Sequence, residues 1–133
     1  RVCEGRCLEH CDSSLPATIS KTSSRGAWPT FSDQILHMPP GDPGFWQVIL
    51  VDSRFRVACA LKGFLHLHLA ARSDKGRVLV HDWAESRAPK YKEILNFGQM
   101  QLRIASMAVF QARPLQRLDE LRAAIRRFEY DPA

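Results

Sequence analysis

The sequence lacks any apolar run close to the roughly 20 residues that a membrane-spanning helix needs, so we expect no membrane span. Its first residues, from Arg1 to Arg6, lack the apolar stretch of a secretory signal. The chain also begins with Arg rather than Met, and we therefore expect further sequence upstream. Together these absences predict a cytoplasmic protein.

Cysteine is scarce, and its spacing differs from that of the common structural zinc sites. Three of the 4 cysteines, Cys3, Cys7 and Cys11, follow one another at steps of four, whereas zinc sites usually contain closer pairs such as Cys-x2-Cys. A disulfide framework is not expected in a chain with a core and no secretory signal. We interpret the three as free thiols, with an iron–sulfur or zinc role as the alternative, and we predict no metal site.

Composition divides the chain into two parts. Residues 1–44 contain most of the Ser, Pro and Gly clusters and predict a largely irregular leader, with a short helix at about 31–37. Residues 45–133 contain the apolar patterns of a single α/β domain. The net charge of +5 comes from this second part, where acidic residues are interspersed with basic ones. We therefore do not expect nucleic acid to be a partner.

Two short apolar runs end at carboxylates and predict the centre of the fold. The first, Trp46 to Asp52, and the second, Arg77 to Trp83, have the character of buried strands. Between them, apolar residues recur at three- and four-residue steps from Ser53 to Leu69, which predicts a helix. Gly63 in this helix suggests close contact with the sheet. Because ligands of open α/β sheets bind at the carboxyl edge of the strands, we expect a site where these runs end.

Three further elements are predicted after the second run. A helix is expected from about Lys90 to Arg103, a strand at about 106–110, and an amphipathic helix from Leu115 to Phe128. The sequence thus predicts an α/β fold with mainly parallel strands at about 46–52, 77–82 and 106–110, flanked by helices.

The segments Val48-Ile-Leu-Val-Asp-Ser-Arg-Phe-Arg-Val-Ala58 and Arg77-Val-Leu-Val-His-Asp-Trp83 resemble motifs of Rossmann-like S-adenosylmethionine-dependent methyltransferase-type proteins. In that family the fourth strand often ends Val-Asp-Gly-Arg-Phe-Arg-Val-Ala. The fifth ends His-Asp-Tyr or His-Asp-Trp, with a Tyr several residues later that Tyr91 matches. The final strand, helix and Tyr130-Asp-Pro132 are similar too. The resemblance covers residues 45–133 and implies part of a three-layer sandwich.

This resemblance implies an S-adenosylmethionine-dependent enzyme that transfers a methyl group to an oxygen or nitrogen of a small-molecule or protein acceptor. The chain departs from the family at Ser53, where Gly is common, and residues 1–45 contain no Gly-x-Gly-x-x-Gly loop. We therefore expect half of such a domain, without a complete cofactor site of its own. The alternative is a non-catalytic, truncated module that binds a protein partner. In either case, an exposed sheet edge predicts self-association.

Asp52 and His81 are the predicted catalytic residues. By the resemblance, Asp52 positions or deprotonates the methyl acceptor; the alternative is that it caps the following helix. His81 could assist as a general base oriented by a carboxylate. Because adjacent residues of a strand point to opposite faces, His81 and Asp82 can share one pocket only if the strand twists at its end. A structural His–Asp pair is the alternative.

The predicted substrate-binding residues are Arg54, Arg56, Asp82, Trp83 and Tyr91. The two arginines could clamp an anionic group or pair with Asp52 or Asp82, and both should be partly buried. The two aromatic residues, with Arg87, could shape a pocket or simply pack the loop. His66 and His68 lie two residues apart on a predicted helix, so they should not bind one metal ion together.

Overall fold

The computed structural model describes residues 28–33, 35–36, 47–84, 88–115 and 118–131, and these form a mixed α/β fold. The predicted fold class is therefore confirmed. In chain order the elements are α1 (Trp28–Asp33), β1 (Val48–Val51), α2 (Arg56–Leu69), β2 (Arg77–Val80), α3 (Ala88–Phe97), β3 (Gly98–Ile104), β4 (Met107–Ala112) and α4 (Leu118–Phe128). Among them, no helix is both long and apolar enough to cross a membrane.

The four described strands form one sheet in the order β1-β2-β4-β3. The predicted parallel pair is confirmed, since β1 lies parallel to β2 with Val48 opposite Arg77 and Val51 opposite Val80. The predicted third strand is β4, but it runs antiparallel to both β2 and β3. The sheet thus contains one parallel and two antiparallel pairings, where the sequence predicted mainly parallel strands.

The predicted helix from Lys90 to Arg103 is wrong in its second half. Helix α3 ends at Phe97, and the next residue, Gly98, begins β3. Strand β3 pairs with β4 through most of its length, with a bulge between Met100 and Leu102. Backbone hydrogen bonding to β4 therefore determines the structure of this segment, in place of the helical spacing that the sequence suggested.

The hydrophobic core lies between α2 and one face of the sheet. Buried residues alternate along β1, β2 and β4, as expected for a sheet with one covered face. They are Ile49, Val51, Val78, Val80, Ala108, Phe110 and Ala112. Gly63 allows the close approach predicted for it, because a Cβ atom there would lie 3.2 Å from Val78 Cγ2. Residues of α3 and α4 complete the same cluster, so the described residues supply two of the three predicted layers.

A buried lysine connects three helices around this core. Lys62 of α2 is almost completely buried, and its Nζ atom donates to Ser32 Oγ at 2.7 Å and Asp33 Oδ1 at 2.5 Å, both in α1. The same atom lies 2.8 Å from Glu129 Oε1, just beyond α4. This network was not predicted, because its members are separated by 29 residues or more along the chain. The network attaches α1 to the rest of the domain. Helix α1 begins earlier than the predicted helix at 31–37.

Candidate functional site

The carboxyl ends of β1 and β2 bring polar residues together at one edge of the sheet. Asp52 directly follows β1, and His81 and Asp82 directly follow β2. The parallel pairing continues past the strands, since the His81 backbone N–H donates to the Val51 carbonyl at 3.0 Å. The sequence placed these three residues at the ends of neighbouring parallel strands, and the structure confirms that placement.

The backbone turns sharply at Asp82. Without this turn, the side chains of His81 and Asp82 would point to opposite faces of the sheet, as expected for adjacent residues of a strand. Asp82 has a φ of 55°, in the left-handed region that Asp tolerates better than most residues. The turn allows both aspartates to approach the same imidazole nitrogen: His81 Nδ1 lies 3.4 Å from Asp52 Oδ1 and 3.4 Å from Asp82 Oδ1. These distances exceed those of good hydrogen bonds, so we describe close approaches rather than bonds. The Nδ1 atom is itself buried.

Arg56, in the first turn of α2, contacts all three residues of this cluster. Its Nη2 atom donates to Asp82 Oδ2 at 2.7 Å, and its Nε atom donates to the His81 carbonyl at 3.1 Å. The guanidinium also lies 3.7 Å from Asp52 Oδ1. Its side chain is only 11% exposed. The Arg56 guanidinium is therefore already paired within the protein. This agrees with the hypothesis of internal pairing and not with a clamp for an anionic substrate.

Asp52 does not cap helix α2. The N-cap position is Phe55, three residues later, and Phe55 makes no side-chain capping hydrogen bond. Nearly three-fifths of the Asp52 side chain, 58%, is exposed to solvent. The structure therefore leaves the Asp52 carboxylate beside His81 and open to a ligand, with its catalytic role still a prediction.

Arg54 differs from Arg56 although both lie on the same connection between β1 and α2. The prediction that both arginines are partly buried is correct for Arg56 and wrong for Arg54, which is exposed. The chain enters the helix between them, so only Arg56 is directed to the end of β2. Among the described residues, Arg54 has no ion-pair partner. It is the arginine that remains available to an anionic group.

Trp83 and Tyr91 pack into the core. Their rings stack with centroids 4.9 Å apart, and the Trp83 ring also lies 5.0 Å from that of Phe110. Both residues are buried, and the Trp83 backbone N–H donates to the Ser106 carbonyl. The two rings therefore pack the end of β2 against the rest of the sheet and offer almost no surface to a substrate. This agrees with the hypothesis that they pack the loop and do not shape a pocket. The sequence did not reveal that Phe110, which lies on β4, takes part in this packing.

The remaining candidates lie apart from this cluster or outside the described residues. His66 and His68 are in α2, as predicted, and the helical spacing prevents them from binding one ion together. Burial lowers the pKa of both imidazoles, while a hydrogen bond to the backbone of Arg113 partly offsets the effect at His68. Cys59 is partly buried, with its Sγ atom 3.2 Å from Ser53 Oγ. The predictions for Cys3, Cys7, Cys11 and Arg87 fall on residues that the structure does not describe.

The cluster of Asp52, His81 and Asp82 has the ligand types of a metal site but not a suitable charge balance. One potential ligand atom from each lies within 4.8 Å of the others. However, the Arg56 guanidinium already contacts both carboxylates, at 2.7 and 3.7 Å. A metal ion would have to displace this cation or accept its repulsion. The residues therefore do not fit a metal centre, and we assign no metal-dependent step to them.

Comparison with known proteins supports a fold but not a family. No family model matches the sequence, and no curated protein matches it. Among solved structures, the chain is similar to a methyltransferase-like protein from Silicibacter pomeroyi, with a TM-score of 0.59 and 22% sequence identity. The fold is methyltransferase-like. The match covers 86% of this chain and 54% of the other, so the chain spans about half the length of that methyltransferase-like protein.

The described residues do not supply the cofactor loop that the resemblance implies. The three described glycines are Gly63 within α2, Gly76 before β2 and Gly98 at the start of β3. None of them lies between the end of a strand and the start of a helix, where a Gly-rich loop binds a nucleotide. The described part of the chain therefore contains no loop of this kind.

Proposed function

We propose that this chain is the acceptor-binding part of an S-adenosylmethionine-dependent methyltransferase, acting on an oxygen or nitrogen nucleophile. The observation that carries the proposal is the convergence of Asp52, His81 and Asp82 at the carboxyl ends of two parallel strands in a methyltransferase-like fold. S-adenosylmethionine supplies the methyl group in such enzymes, and residues other than those described would have to hold it. The roles below concern only this chain's own residues.

His81 has the surroundings of a general base. Its Nδ1 atom faces the carboxylates of Asp52 and Asp82, each 3.4 Å away. A proton on Nδ1 would be stabilised there, and the second ring nitrogen would then carry the lone pair. That nitrogen can accept the proton that the acceptor's hydroxyl or amine loses when the new bond to carbon forms.

Asp52 and Arg56 have complementary roles in this proposal. The exposed carboxylate of Asp52 accepts a hydrogen bond from the acceptor's O–H or N–H and orients its lone pair. Arg56 acts as a positioning residue, since it contacts Asp82 and the His81 carbonyl without being open to a substrate. Arg54, exposed on the same connection, would contact an anionic part of the acceptor.

The experiment that tests this proposal is a calorimetric titration of the 133-residue chain with S-adenosylhomocysteine, followed by methyl-transfer assays with oxygen and nitrogen acceptors. Binding and turnover would support an enzyme. Asp52→Asn should then abolish turnover and leave the melting temperature within about 2 °C, because the exposed side chain caps nothing. A matched control is Asp74→Asn, an exposed aspartate in the turn before β2, which should retain activity.

Three outcomes would contradict the proposal. If the chain binds no S-adenosylhomocysteine and transfers no methyl group, the chain alone is not the enzyme, and a fragment of one or a non-catalytic module that binds a protein partner becomes the better hypothesis. If turnover is present and Asp52→Asn retains it, the site lies elsewhere on the chain. If Asp52→Asn unfolds the protein, Asp52 is structural, contrary to its observed exposure.

A further inference from the structure

The turn of the β3–β4 hairpin lies beside the candidate site. Strand β4 runs antiparallel to β2, with Val80 opposite Ala108, so the start of β4 lies at the carboxyl end of β2. The Trp83 backbone N–H donates to the Ser106 carbonyl at 2.7 Å, and this bond holds the turn of the hairpin next to the end of β2. The hairpin therefore brings a distant part of the chain to the edge of the sheet that carries the candidate site.

Strand register places two apolar residues in line with the predicted catalytic residues. The parallel pairing of β1 and β2 continues to Asp52 and His81, which are neighbours across the sheet. The antiparallel pairing of β2 and β4, extended by one residue, sets His81 opposite Met107. Met107 in turn pairs with Ile104 of β3. These residues form one row across the carboxyl end of the sheet, in the order Asp52, His81, Met107 and Ile104.

This row lies on the face of the sheet opposite α2, which we call the outer face. Side chains alternate between the two faces along a strand, and the core residues Val51, Val80 and Ala108 point toward α2. The members of the row that adjoin them along the chain therefore point to the outer face. The exposure agrees, since the Asp52 side chain is 58% exposed and Ile104 is 62% exposed.

The outer face changes in character from one end of the sheet to the other. At the amino end, Val48 lies beside Arg77, and Gln99 lies beside Gln111. The row at the carboxyl end has its polar groups together on β1 and β2 and its apolar groups together on β4 and β3. A molecule that lies along this row therefore meets a carboxylate and an imidazole at one end and apolar side chains at the other.

Any group that covers the apolar pair lies close to His81. Neighbouring strands are about 4.8 Å apart, so Met107 lies about 5 Å and Ile104 about 10 Å from His81 across the sheet. A molecule that presents a hydroxyl or amine to His81 meets the Asp52 carboxylate in the direction of β1. In the direction of β4 and β3 it meets apolar side chains, where an apolar group gains free energy by leaving water.

We propose that Met107 and Ile104 bind the apolar part of the acceptor, which is a small molecule whose hydroxyl or amine is attached to an aromatic ring or a short alkyl group. This inference rests on the proposed function and names its substrate class. The pair contributes to acceptor binding and takes no part in proton transfer. A further segment of protein over the pair would lie within about 5 Å of His81 and obstruct the approach that the proposed reaction needs.

An NMR titration of the 133-residue chain with phenol, para-methylphenol and para-ethylphenol tests this assignment without a methyl donor. Complete burial of a methylene tightens binding about fourfold, so burial of one side on an open face should tighten it about twofold for each added carbon. The signals of the Ile104 methyl groups and of the His81 ring should give the same dissociation constant, because one bound molecule contacts both.

Two variants separate the apolar pair from the rest of the outer face. Ile104→Ser removes the apolar side chain and should abolish the gain in affinity for each added carbon. Val48→Ser is the matched control and should retain that gain, since Val48 is 53% exposed on the same face at the amino end of the sheet. Circular dichroism verifies that each variant is folded. If Ile104→Ser is not, Ile104→Thr replaces it, because threonine is favoured in strands.

The inference is overturned if the phenols do not bind, or if Ile104→Ser retains the gain for each added carbon. The apolar pair would then be a contact for a further part of the protein. It is also overturned if the Ile104 signals shift and the His81 signals do not, because the pair would then lie outside the site. Binding of the phenols along this row without any methyl transfer would instead contradict the proposed function and leave the apolar binding residues assigned.

Discussion

Replacing Arg56 by Met tests whether this guanidinium holds the ends of β1 and β2 together. The bond to Asp82 should contribute only about 0.5–1 kcal/mol, because 46% of that side chain remains in contact with water. The bond from the charged Nε to the His81 carbonyl should contribute about 1–1.5 kcal/mol, since the donor is mostly buried. We therefore expect the free energy of unfolding to fall by about 2 kcal/mol in total.

The measurement is urea unfolding, supported by the melting temperature. For a chain of this size, a loss of about 2 kcal/mol lowers the melting temperature by roughly 6–10 °C. The matched control is Arg54→Met, two residues earlier, which should change the free energy of unfolding by less than about 0.5 kcal/mol because Arg54 is exposed. Equal effects of the two variants, or an Arg56→Met effect below about 0.5 kcal/mol, would refute the reasoning.

Three further predictions concern residues of the core outside the candidate site. Lys62→Met should lower the free energy of unfolding by about 3 kcal/mol in urea unfolding, because it leaves two mostly buried carboxylates without their cation. Burial lowers the pKa of His66 and His68, so their contribution to stability should be complete above pH 6.5, the ordinary pKa of histidine, and should be lost as the pH drops below it. The pH dependence of the urea midpoint should flatten when both residues are replaced by Gln. Gly98→Ala should cost about 1–3 kcal/mol by thermal melting, since its Cβ would collide with Cζ of the buried Phe64 ring.

The sequence carried a signal for β3 that helical spacing concealed. From Gln99 to Ile104, polar and apolar residues alternate strictly, which is typical of a strand. The spacing from Ile94 and Leu95 to Leu102 suggested a continued helix instead. The structure follows the alternation, because the segment can pair with β4 and because Gly98 provides space for Phe64. Local patterns alone could not decide between the two periods.

The candidate site was predictable in its members but not in its geometry. The ends of two parallel strands identified Asp52, His81 and Asp82 correctly as neighbours. Their convergence on one imidazole nitrogen depends on the left-handed conformation of Asp82, which no sequence pattern specifies. The burial of Arg56 and the exposure of Arg54 likewise depend on where α2 begins. Helix boundaries are among the least certain features of a sequence-based prediction.

The continuous apolar run of β1 has a physical consequence beyond strand prediction. A run such as Val48 to Val51 is typical of parallel strands covered on both faces, yet the structure buries only Ile49 and Val51. The other face of β1, formed by Val48 and Leu50, is therefore apolar without a described residue to cover it. Because exposed apolar strands favour association, we expect Val48 and Leu50 to lie in a contact with a further part of the protein or with a partner.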